Sequence, residues 1–357
     1  CIRDRFVTLP SVTGILSMLD GYWGKFRTCL AAIGLTMLIS GLPLAAEDLR
    51  FFTIGAGDVG GSYYASAQAI CEVVNRAEHG RLRCSPDPTQ GSIYNLDALR
   101  RGQIDFAIVQ SDWHREAFKG TGIYARDGHF EDLRSVLSLY EEPITIIARR
   151  DSGIYRPADL IGKRIEIGRP ASGRRATIER LFVALALTPE KFAKVVELSS
   201  SGALDELCAG ALDATILVVG HPNATIGRVL STCDADLIPV SGPKLASVME
   251  GQPDYSQAVI PKSYYPELSA DVSTYAVTAT LVTRANVDSA IVQSLVRHVL
   301  DQRAGLAQRA PVLKDLDPQR MRRQGLTAPL HTGARAAFDK ASVVGAPPSK
   351  ALENERR

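Results

Sequence analysis

Small residues cluster in four short loops, each of which precedes a segment with helical periodicity. These loops span residues 55–62, 89–92, 170–173 and 199–202. The first turn of a helix has unpaired N–H groups and carries roughly half a positive charge. Glycine and serine let a carboxylate or phosphate approach those donors closely. The four loops therefore predict an anion-binding site that needs no catalytic residue, although N-capping by serine or threonine would explain any single loop.

The first loop also contains the pattern G-x-G-x-x-G at Gly55, Gly57 and Gly60, which is typical of dinucleotide-binding folds. Asp87 follows the second predicted strand, where such folds place an acidic residue for the ribose. Two bulky tyrosines crowd the start of the helix, however, and the same loop recurs in the second half of the chain. We therefore interpret the glycines as part of an anion-binding helix N-terminus rather than of a nucleotide-binding site.

Predicted strands and helices alternate along both halves of the chain, which indicates parallel sheet in an α/β architecture. A short pattern repeats at a spacing of 108 residues. Each copy combines the end of a helix, a glycine that stops it and an apolar strand. The two copies are Leu99, Gly102, Ile104 and Asp105, and Leu207, Gly210, Leu212 and Asp213. We predict two α/β lobes of similar build.

Long β-rich runs at 135–151 and 257–284 join the predicted halves. Two extended crossovers between two lobes are typical of a hinge. The predicted boundaries are 47–140 for the first part of lobe 1, 141–258 for lobe 2, and 259–345 for the return crossover and the C-terminal part of lobe 1. Residues 346–357 are expected to be a disordered tail.

The N-terminal segment has the composition of a secretory signal peptide. Lys25 and Arg27 precede an apolar run of about 14 residues, shorter than the roughly 20 that a membrane span needs. Ala46 ends a small-residue stretch suited to cleavage. The sequence therefore predicts that residues 1–46 comprise a signal peptide and the residues upstream of it, and that the mature protein is periplasmic.

Four cysteines follow the predicted cleavage site: Cys71, Cys84, Cys208 and Cys233. An even number in an exported chain permits disulfides, and the local pairings are Cys71 with Cys84 and Cys208 with Cys233. Four buried free thiols are the equally weighted alternative. No C-x-x-C motif occurs, so neither redox chemistry nor a zinc ribbon is indicated.

Signals of catalysis are weak throughout the chain. The motifs G-x-S-x-G and H-E-x-x-H are absent, and the six histidines are scattered. Glu141 and Glu142 are adjacent and are expected to point to opposite sides of a strand. The formal net charge of +2 gives no basic face for a nucleic acid. We expect neither a metal site, nor a cofactor, nor a nucleic-acid partner.

Several polar side chains stand where a ligand in a cleft would need them. Tyr63 and Tyr64 follow the first glycine loop, and Gln110, Ser111 and Asp112 are placed at the end of a predicted strand. Arginines can bind a carboxylate through two parallel hydrogen bonds. Of the two arginines after the third loop, Arg175 is the predicted clamp and Arg174 the predicted solvent-exposed neighbour.

Five segments in order resemble the TAXI family, the extracytoplasmic solute receptors of one class of TRAP transporters. They are "IGAGDVGGSYY", "QGSIYNL…GQIDFAIVQSD", "ADLIGKRIEIGRPASGRR", "GALDATILVVGHPN" and "TAPLHTGA", and the resemblance covers roughly residues 50–340. It implies a type II periplasmic binding-protein fold, with two α/β lobes joined by a two-crossover hinge and a ligand cleft between them.

The resemblance also implies which positions contact the ligand, through residues that match the family's loops. The substrate-binding residues so implied are Ser62, Tyr63, Tyr64, Gly91, Ser92, Asn95, Gln110, Asp112, Ser172, Gly173, Arg175, Gly220 and Pro222. Three positions depart from the family's usual pattern. Ala171 replaces a glycine, while Arg174 and Gln90 replace small residues. The first two departures put the ligand and its charge in doubt.

The resemblance implies capture of a small organic anion or amino acid, such as a glutamate-like compound or a dicarboxylate, by lobe closure. Delivery to an ion-gradient-driven TRAP permease in the membrane would follow. An ABC-importer binding protein and a ligand-sensing lobe for a membrane histidine kinase are the alternatives, since both share the fold. A hydrolase or dehydrogenase is the least favoured reading.

Overall fold

The computed structural model describes residues 49–249 and 251–344, and the predicted signal peptide and tail lie outside them. Among these residues no helix is long and apolar enough to cross a membrane. The strands are β1 Arg50–Gly55, β2 Leu82–Asp87, β3 Phe106–Gln110, β4 Leu133–Arg149, β5 Arg164–Glu166, β6 Lys194–Val196, β7 Ala214–Val218, β8 Ala235–Ile238, β9 Ser256–Ile260 and β10 Val272–Arg284.

Eleven α-helices are present in the described part of the chain, besides short 3₁₀ turns. They are α1 Ser62–Ala77, α2 Ser92–Arg100, α3 Ser111–Lys119, α4 Gly173–Leu185, α5 Ser200–Cys208, α6 Ala224–Thr232, α7 Pro243–Met249, α8 Ser289–Asp301, α9 Arg303–Arg309, α10 Pro318–Met321 and α11 Thr332–Val344. As predicted, a helix starts at each glycine- and serine-rich loop: α1, α2 and α4 begin at the last residue of the first three loops, and α5 begins at Ser200 within the fourth.

The ten strands form one mixed sheet, in the order β2-β1-β3-β10-β4-β7-β5-β6, with β8 paired to β4 and β9 to β10. Strand β1 runs parallel to β2 and β3, and β5 runs parallel to β6 and β7. These parallel sets, taken with the helices between their strands, are the two lobes. The α/β fold with a lobe on each side of two long strands confirms the predicted fold class.

The long strands β4 and β10 pass between the lobes and pair with each other antiparallel. The C-terminal part of β4 pairs with β7 and β8 in lobe 2. The C-terminal part of β10 pairs with β3 in lobe 1. These strands correspond to the two predicted crossovers. The exact lobe boundaries remain a prediction, because the sheet is continuous through β4 and β10.

The repeated sequence pattern has the same structural role in each lobe. Gly102 and Gly210 adopt positive φ values of 71° and 76° after helices α2 and α5. The Asp105 carboxylate accepts a hydrogen bond from the Thr53 amide of β1 at 2.9 Å. The Asp213 carboxylate accepts one from the Arg164 amide of β5 at 2.8 Å. Each aspartate thus joins the start of one parallel strand to its neighbour.

Both local cysteine pairings are present as disulfides. Cys71 of α1 is bonded to Cys84 of β2, and Cys208 of α5 to Cys233 after α6, with Cα–Cα distances of 4.8 and 4.9 Å. Each bond lies within one lobe. Neither crosses the β4–β10 connection, so neither would restrain a hinge motion between the lobes.

Candidate functional site

The four helix-opening loops converge on one cavity of about 80 Å³ between the lobes. Strand β4 and the end of β7 complete its wall. The polar lining residues are Asp58, Ser62, Tyr63, Gln90, Gln110, Glu142, Arg169, Ser172, Arg174 and Ser200. In α/β folds ligands bind at the carboxyl ends of parallel strands, where these loops lie. This cavity is therefore the candidate site.

A larger groove of about 970 Å³ lies among α8, α10 and α11. Its wall contains none of the four loops and no residue of the sheet's carboxyl ends. Size alone does not identify a binding site, whereas converging polar groups in a concave pocket do. We therefore take the smaller cavity as the candidate ligand site.

The two lobes differ in how their helix starts are satisfied. Ser172 and Ser199 cap α4 and α5, because their side chains accept hydrogen bonds from Arg175 N and Gly202 N. Gly61 and Gly91, at the same position before α1 and α2, provide no side-chain cap. The capping interpretation thus holds in lobe 2, while lobe 1 keeps backbone donors that a ligand could use.

Arg174 is the most unusual side chain in the cavity wall. Its Nη2 atom donates to Glu166 Oε1 at 2.8 Å and to the Leu198 carbonyl at 2.9 Å. Its Nη1 atom is buried and has no acceptor. Burial lowers the pKa of Arg174, and the attraction of Glu166 opposes that shift. An arginine N–H without an acceptor at a cavity wall is a ready donor for a ligand oxygen.

Glu166 fixes the orientation of the Arg174 side chain through their ion pair. Its carboxylate is fully buried and also accepts hydrogen bonds from Gly168 N, Leu198 N and Thr215 Oγ1, at 2.6, 3.0 and 2.8 Å. These hydrogen bonds and the ion pair with Arg174 satisfy the buried carboxylate. The arginine is therefore held in one orientation before any ligand arrives.

An ion pair connects the lobes across the cavity. Arg169 Nη1 of lobe 2 donates to Asp58 Oδ1 of lobe 1 at 3.1 Å, and Ser200 N donates to Asp58 Oδ2 at 3.2 Å. The Tyr94 amide of α2 donates to the Ala171 carbonyl at 3.3 Å. These bonds join the two lobes around the cavity, so the structure shows a closed arrangement.

Glu142 contributes a buried carboxyl group to the cavity wall. Its side chain is 2 % exposed and accepts a hydrogen bond of 2.6 Å from the Tyr63 hydroxyl. Burial raises the pKa of Glu142 to about 8; the Tyr63 hydrogen bond opposes the shift, and the nearby Asp112 adds to it. At neutral pH this carboxyl group is mostly protonated when no cation faces it.

Five of the predicted site residues line the cavity: Ser62, Tyr63, Gly91, Gln110 and Ser172. Eight do not: Tyr64, Ser92, Asn95, Asp112, Gly173, Arg175, Gly220 and Pro222. Several of the eight support the wall from behind. The Asn95 amide donates to the carbonyls of Ala56 and Ile108, at 2.7 and 2.9 Å, and so joins the ends of β1 and β3.

Ser92 and Gly220 do not line the cavity, but each forms a hydrogen bond with a residue that does. The Ser92 hydroxyl accepts a hydrogen bond of 3.1 Å from Gln110 N, which fixes the end of β3. The Gly220 carbonyl accepts one of 3.4 Å from the Ser62 hydroxyl, which is a further contact between lobes. The peptide bond between His221 and Pro222 is cis. Tyr64 packs partly buried against the core of lobe 1.

Asp112 belongs to the interface between the lobes rather than to the cavity wall. Its carboxylate accepts a 2.8 Å hydrogen bond from the Tyr255 hydroxyl and lies 3.7 Å from Arg180 Nη1. Burial raises its pKa to about 6, against the attraction of Arg180. The prediction that residues 110–112 end a strand was wrong in part, because β3 ends at Gln110 and α3 begins at Ser111.

The structure reverses the placement of the two adjacent arginines. Arg175 was the predicted clamp, yet its guanidinium group forms ion pairs with Glu179 and Glu197 and does not line the cavity. Arg174 was the predicted bystander, yet it lines the cavity. Successive helical residues point about 100° apart, and in α4 it is Arg174 that lies toward the cleft.

Four charged residues of the cavity wall were not among the predicted site residues: Asp58, Glu142, Arg169 and Arg174. The signal for Glu142 was its position in a long β-rich run, which the structure shows as a strand buried along most of its length. A charged residue in such a run is rarely buried without a function or a partner. The other three lie in or beside the glycine-rich loops, where ordinary solvent exposure was the simpler expectation.

Gly173 of α4 packs against Ser92 and Gln110 of lobe 1, and its replacement should disfavour closure. A Cβ atom there would lie 2.6 Å from Ser92 Oγ and would also meet the Gln110 side chain. Overpacking of this kind costs about 1–3 kcal/mol. We expect Gly173→Ala to weaken binding of any captured solute about 10- to 100-fold by calorimetry. Small-angle scattering should show a more open molecule.

Gly60→Ala is the matched control for this prediction. Its Cβ would also face the other lobe, but at an ordinary 3.7 Å from Ser201 Cβ. This variant should bind as the wild type does. Equal affinity of Gly173→Ala and the wild type would show that the contact does not limit closure.

Comparison with known proteins gives the chain a family. The sequence model of the NMT1-like family matches residues 54–340, most of the chain. The chain belongs to the NMT1-like family. The match begins within β1 and ends within α11, so this NMT1-like region contains both lobes, all four loops and the cavity.

Solved structures share the fold of this NMT1-like protein at low sequence identity. MatC from Rhodopseudomonas palustris with bound malate is 15 % identical, with a TM-score of 0.53 over 83 % of this chain and 98 % of that one. PhnD1 from Prochlorococcus marinus in complex with methylphosphonate is 10 % identical, with a TM-score of 0.50 over 83 % and 99 %. These likenesses show the fold of periplasmic solute-binding proteins.

Proposed function

We propose that the protein is a periplasmic solute receptor that captures a small organic anion or amino acid by closure of its two lobes. The observation that carries this proposal is the buried Arg174 Nη1 atom, which lacks an acceptor at a closed cavity between the lobes. A ligand oxygen would satisfy it. Since both lobes contribute to the wall, a ligand contacts both only in the closed state and stabilises that state.

We further propose delivery of the solute to a TRAP permease driven by an ion gradient, with the protein acting as a TAXI receptor. The five sequence segments that resemble the TAXI family support this finer assignment. An ABC importer would use the same fold, and so would a sensor for a membrane histidine kinase. Uptake of the solute into vesicles that contain a candidate permease would separate them, because TRAP-type transport requires an ion gradient and no ATP.

Capture itself is tested with the purified protein and a panel of small carboxylates, amino acids, sulfonates and phosphonates. Thermal shift gives candidates, and calorimetry gives affinities. A bound solute should raise the melting temperature with ligand concentration and should reduce the radius of gyration. No binding across the panel, or catalytic turnover of any member, would contradict the receptor assignment.

A further inference from the structure

Two residues of the cavity wall carry a polar group whose interactions are incomplete. Arg174 Nη1 has no hydrogen-bond acceptor. Glu142 accepts one hydrogen bond, from a neutral tyrosine hydroxyl, and among residues 49–249 and 251–344 no lysine, arginine or histidine forms an ion pair with it. Arg174 and Glu142 both line the same cavity. One small ligand there can therefore contact both residues.

Glu142 is the charged side chain at the cavity that has no partner of opposite charge in the described part of the chain. Arg169 is paired with Asp58, and Arg174 with Glu166. Glu142 is the fifth charged side chain, so two arginines face three carboxylates. When Glu142 is ionised the set carries one uncompensated negative charge. A ligand carboxylate beside ionised Glu142 would meet a like charge, whereas an ammonium group there would give this carboxylate the cationic partner it lacks.

We propose that the ligand is a zwitterionic amino compound, in which an anionic oxygen accepts from Arg174 and a protonated amine pairs with Glu142. This inference rests on the proposed function and narrows its ligand class to amino acids and related zwitterions. The uncharged part of the wall adds Leu198, Val218 and Val219. These side chains offer an apolar surface for the short carbon skeleton between the two charged ends.

Capture of such a ligand releases a proton. The groups that face Glu142 are Tyr63 of α1, Asp112 of α3 and Tyr140 of its own strand, with Asp58, Arg169 and Arg174 elsewhere in the cavity wall. None of those in direct electrostatic contact with Glu142 is a cation, so the free carboxyl group keeps its proton at pH 7. An incoming ammonium group favours the ionised form, and the proton leaves to solvent.

Calorimetry with matched pairs of compounds tests the inference. The pairs are glutamate with glutarate, alanine with propionate, and 4-aminobutyrate with butyrate, so that each pair differs in the amino group. The wild type should bind at least one amino compound about 100-fold more tightly than its partner, because loss of the ammonium leaves a buried carboxyl group unmatched. Buffers of different ionisation enthalpy should show about one proton released per ligand at pH 7.

Two variants isolate the carboxyl group. Glu142→Gln should weaken binding of the amino compound about 100-fold and should abolish the proton release. Glu141→Gln is the matched control, since Glu141 bonds to Gln324 and does not line the cavity. It should behave as the wild type does.

The outcomes separate this inference from the proposed function. Equal or tighter binding of the deaminated compounds would overturn the zwitterion assignment and leave the receptor function intact. Binding of only other anions from the wider panel would do the same, as would proton uptake on binding. Absence of binding by every compound in both panels would overturn the receptor function itself.

Discussion

Replacement of Arg174 by methionine is expected to abolish solute capture and to lower the free energy of unfolding by about 3–5 kcal/mol. The arginine side chain is 10 % exposed and its partner Glu166 is fully buried. Methionine fills much of the same volume but leaves the Glu166 carboxylate without a cation. Removal of one member of a buried ion pair is costly because the remaining charge stays desolvated.

Two further variants separate binding from stability in this prediction. Adding Glu166→Gln to Arg174→Met removes the unpaired charge and should restore most of the stability, while capture remains lost. Arg175→Met is the matched control, because Arg175 pairs with the partly exposed Glu179 and Glu197 and should cost less than about 1 kcal/mol. Urea unfolding and calorimetry measure the two effects. If Arg174→Met had the same free energy of unfolding as the wild type, the ion pair between Arg174 and Glu166 would not stabilise the fold.

The second large effect is the pH dependence that Glu142 imposes on the ligand-free protein. An unfolded glutamate titrates near 4.5, whereas burial raises the folded pKa to about 8. Between these values the folded state binds one proton more than the unfolded state, so stability falls as pH rises. From pH 5 to pH 8, Glu142 should lower the free energy of unfolding by about 3 kcal/mol.

Glu142→Gln should remove this dependence, since glutamine does not titrate and its oxygen can still accept from the Tyr63 hydroxyl. The variant should be more stable than the wild type at pH 8 and similar at pH 4. Asp112, whose raised pKa of about 6 acts in the same direction, is present in both proteins and cancels in the difference. Denaturant unfolding at four pH values provides the measurement, with Glu141→Gln as the control. Parallel pH profiles would mean that Glu142 is already charged and solvated.

Local sequence signals predicted the elements that form the site. The glycine- and serine-rich loops marked the starts of α1, α2, α4 and α5, because helix initiation depends on residues within one turn. The short pattern that repeats at a spacing of 108 residues correctly indicated two lobes of similar build. Its aspartates have equivalent roles, since each directly precedes a strand and accepts a backbone hydrogen bond from the neighbouring parallel strand. These features depend on neighbours in the chain or on backbone geometry common to the fold.

Local sequence signals did not predict which side chains line the cavity. Arg174 and Arg175 have the same chemistry and adjacent positions, and the choice between them depends on the rotation of α4 against the loop that contains Leu198. Asn95, Ser92 and Asp112 have the polarity of ligand-binding groups, but the backbone carbonyls of β1 and β3, the end of β3 and the Tyr255 hydroxyl satisfy them. No local pattern distinguishes such internal hydrogen bonding from ligand binding.

The sequence by itself determined the α/β class, the two-lobed organisation and the four loops that meet at the ligand site. These follow from periodicity and helix-start chemistry, which act over a few residues. Only the tertiary structure decided that Glu142 and Arg174, residues from a crossover strand and from a lobe 2 helix, share one cavity wall. Burial leaves Glu142 without a cation and Arg174 Nη1 without an acceptor, and burial is set by which distant segments pack over a side chain rather than by its neighbours in the chain.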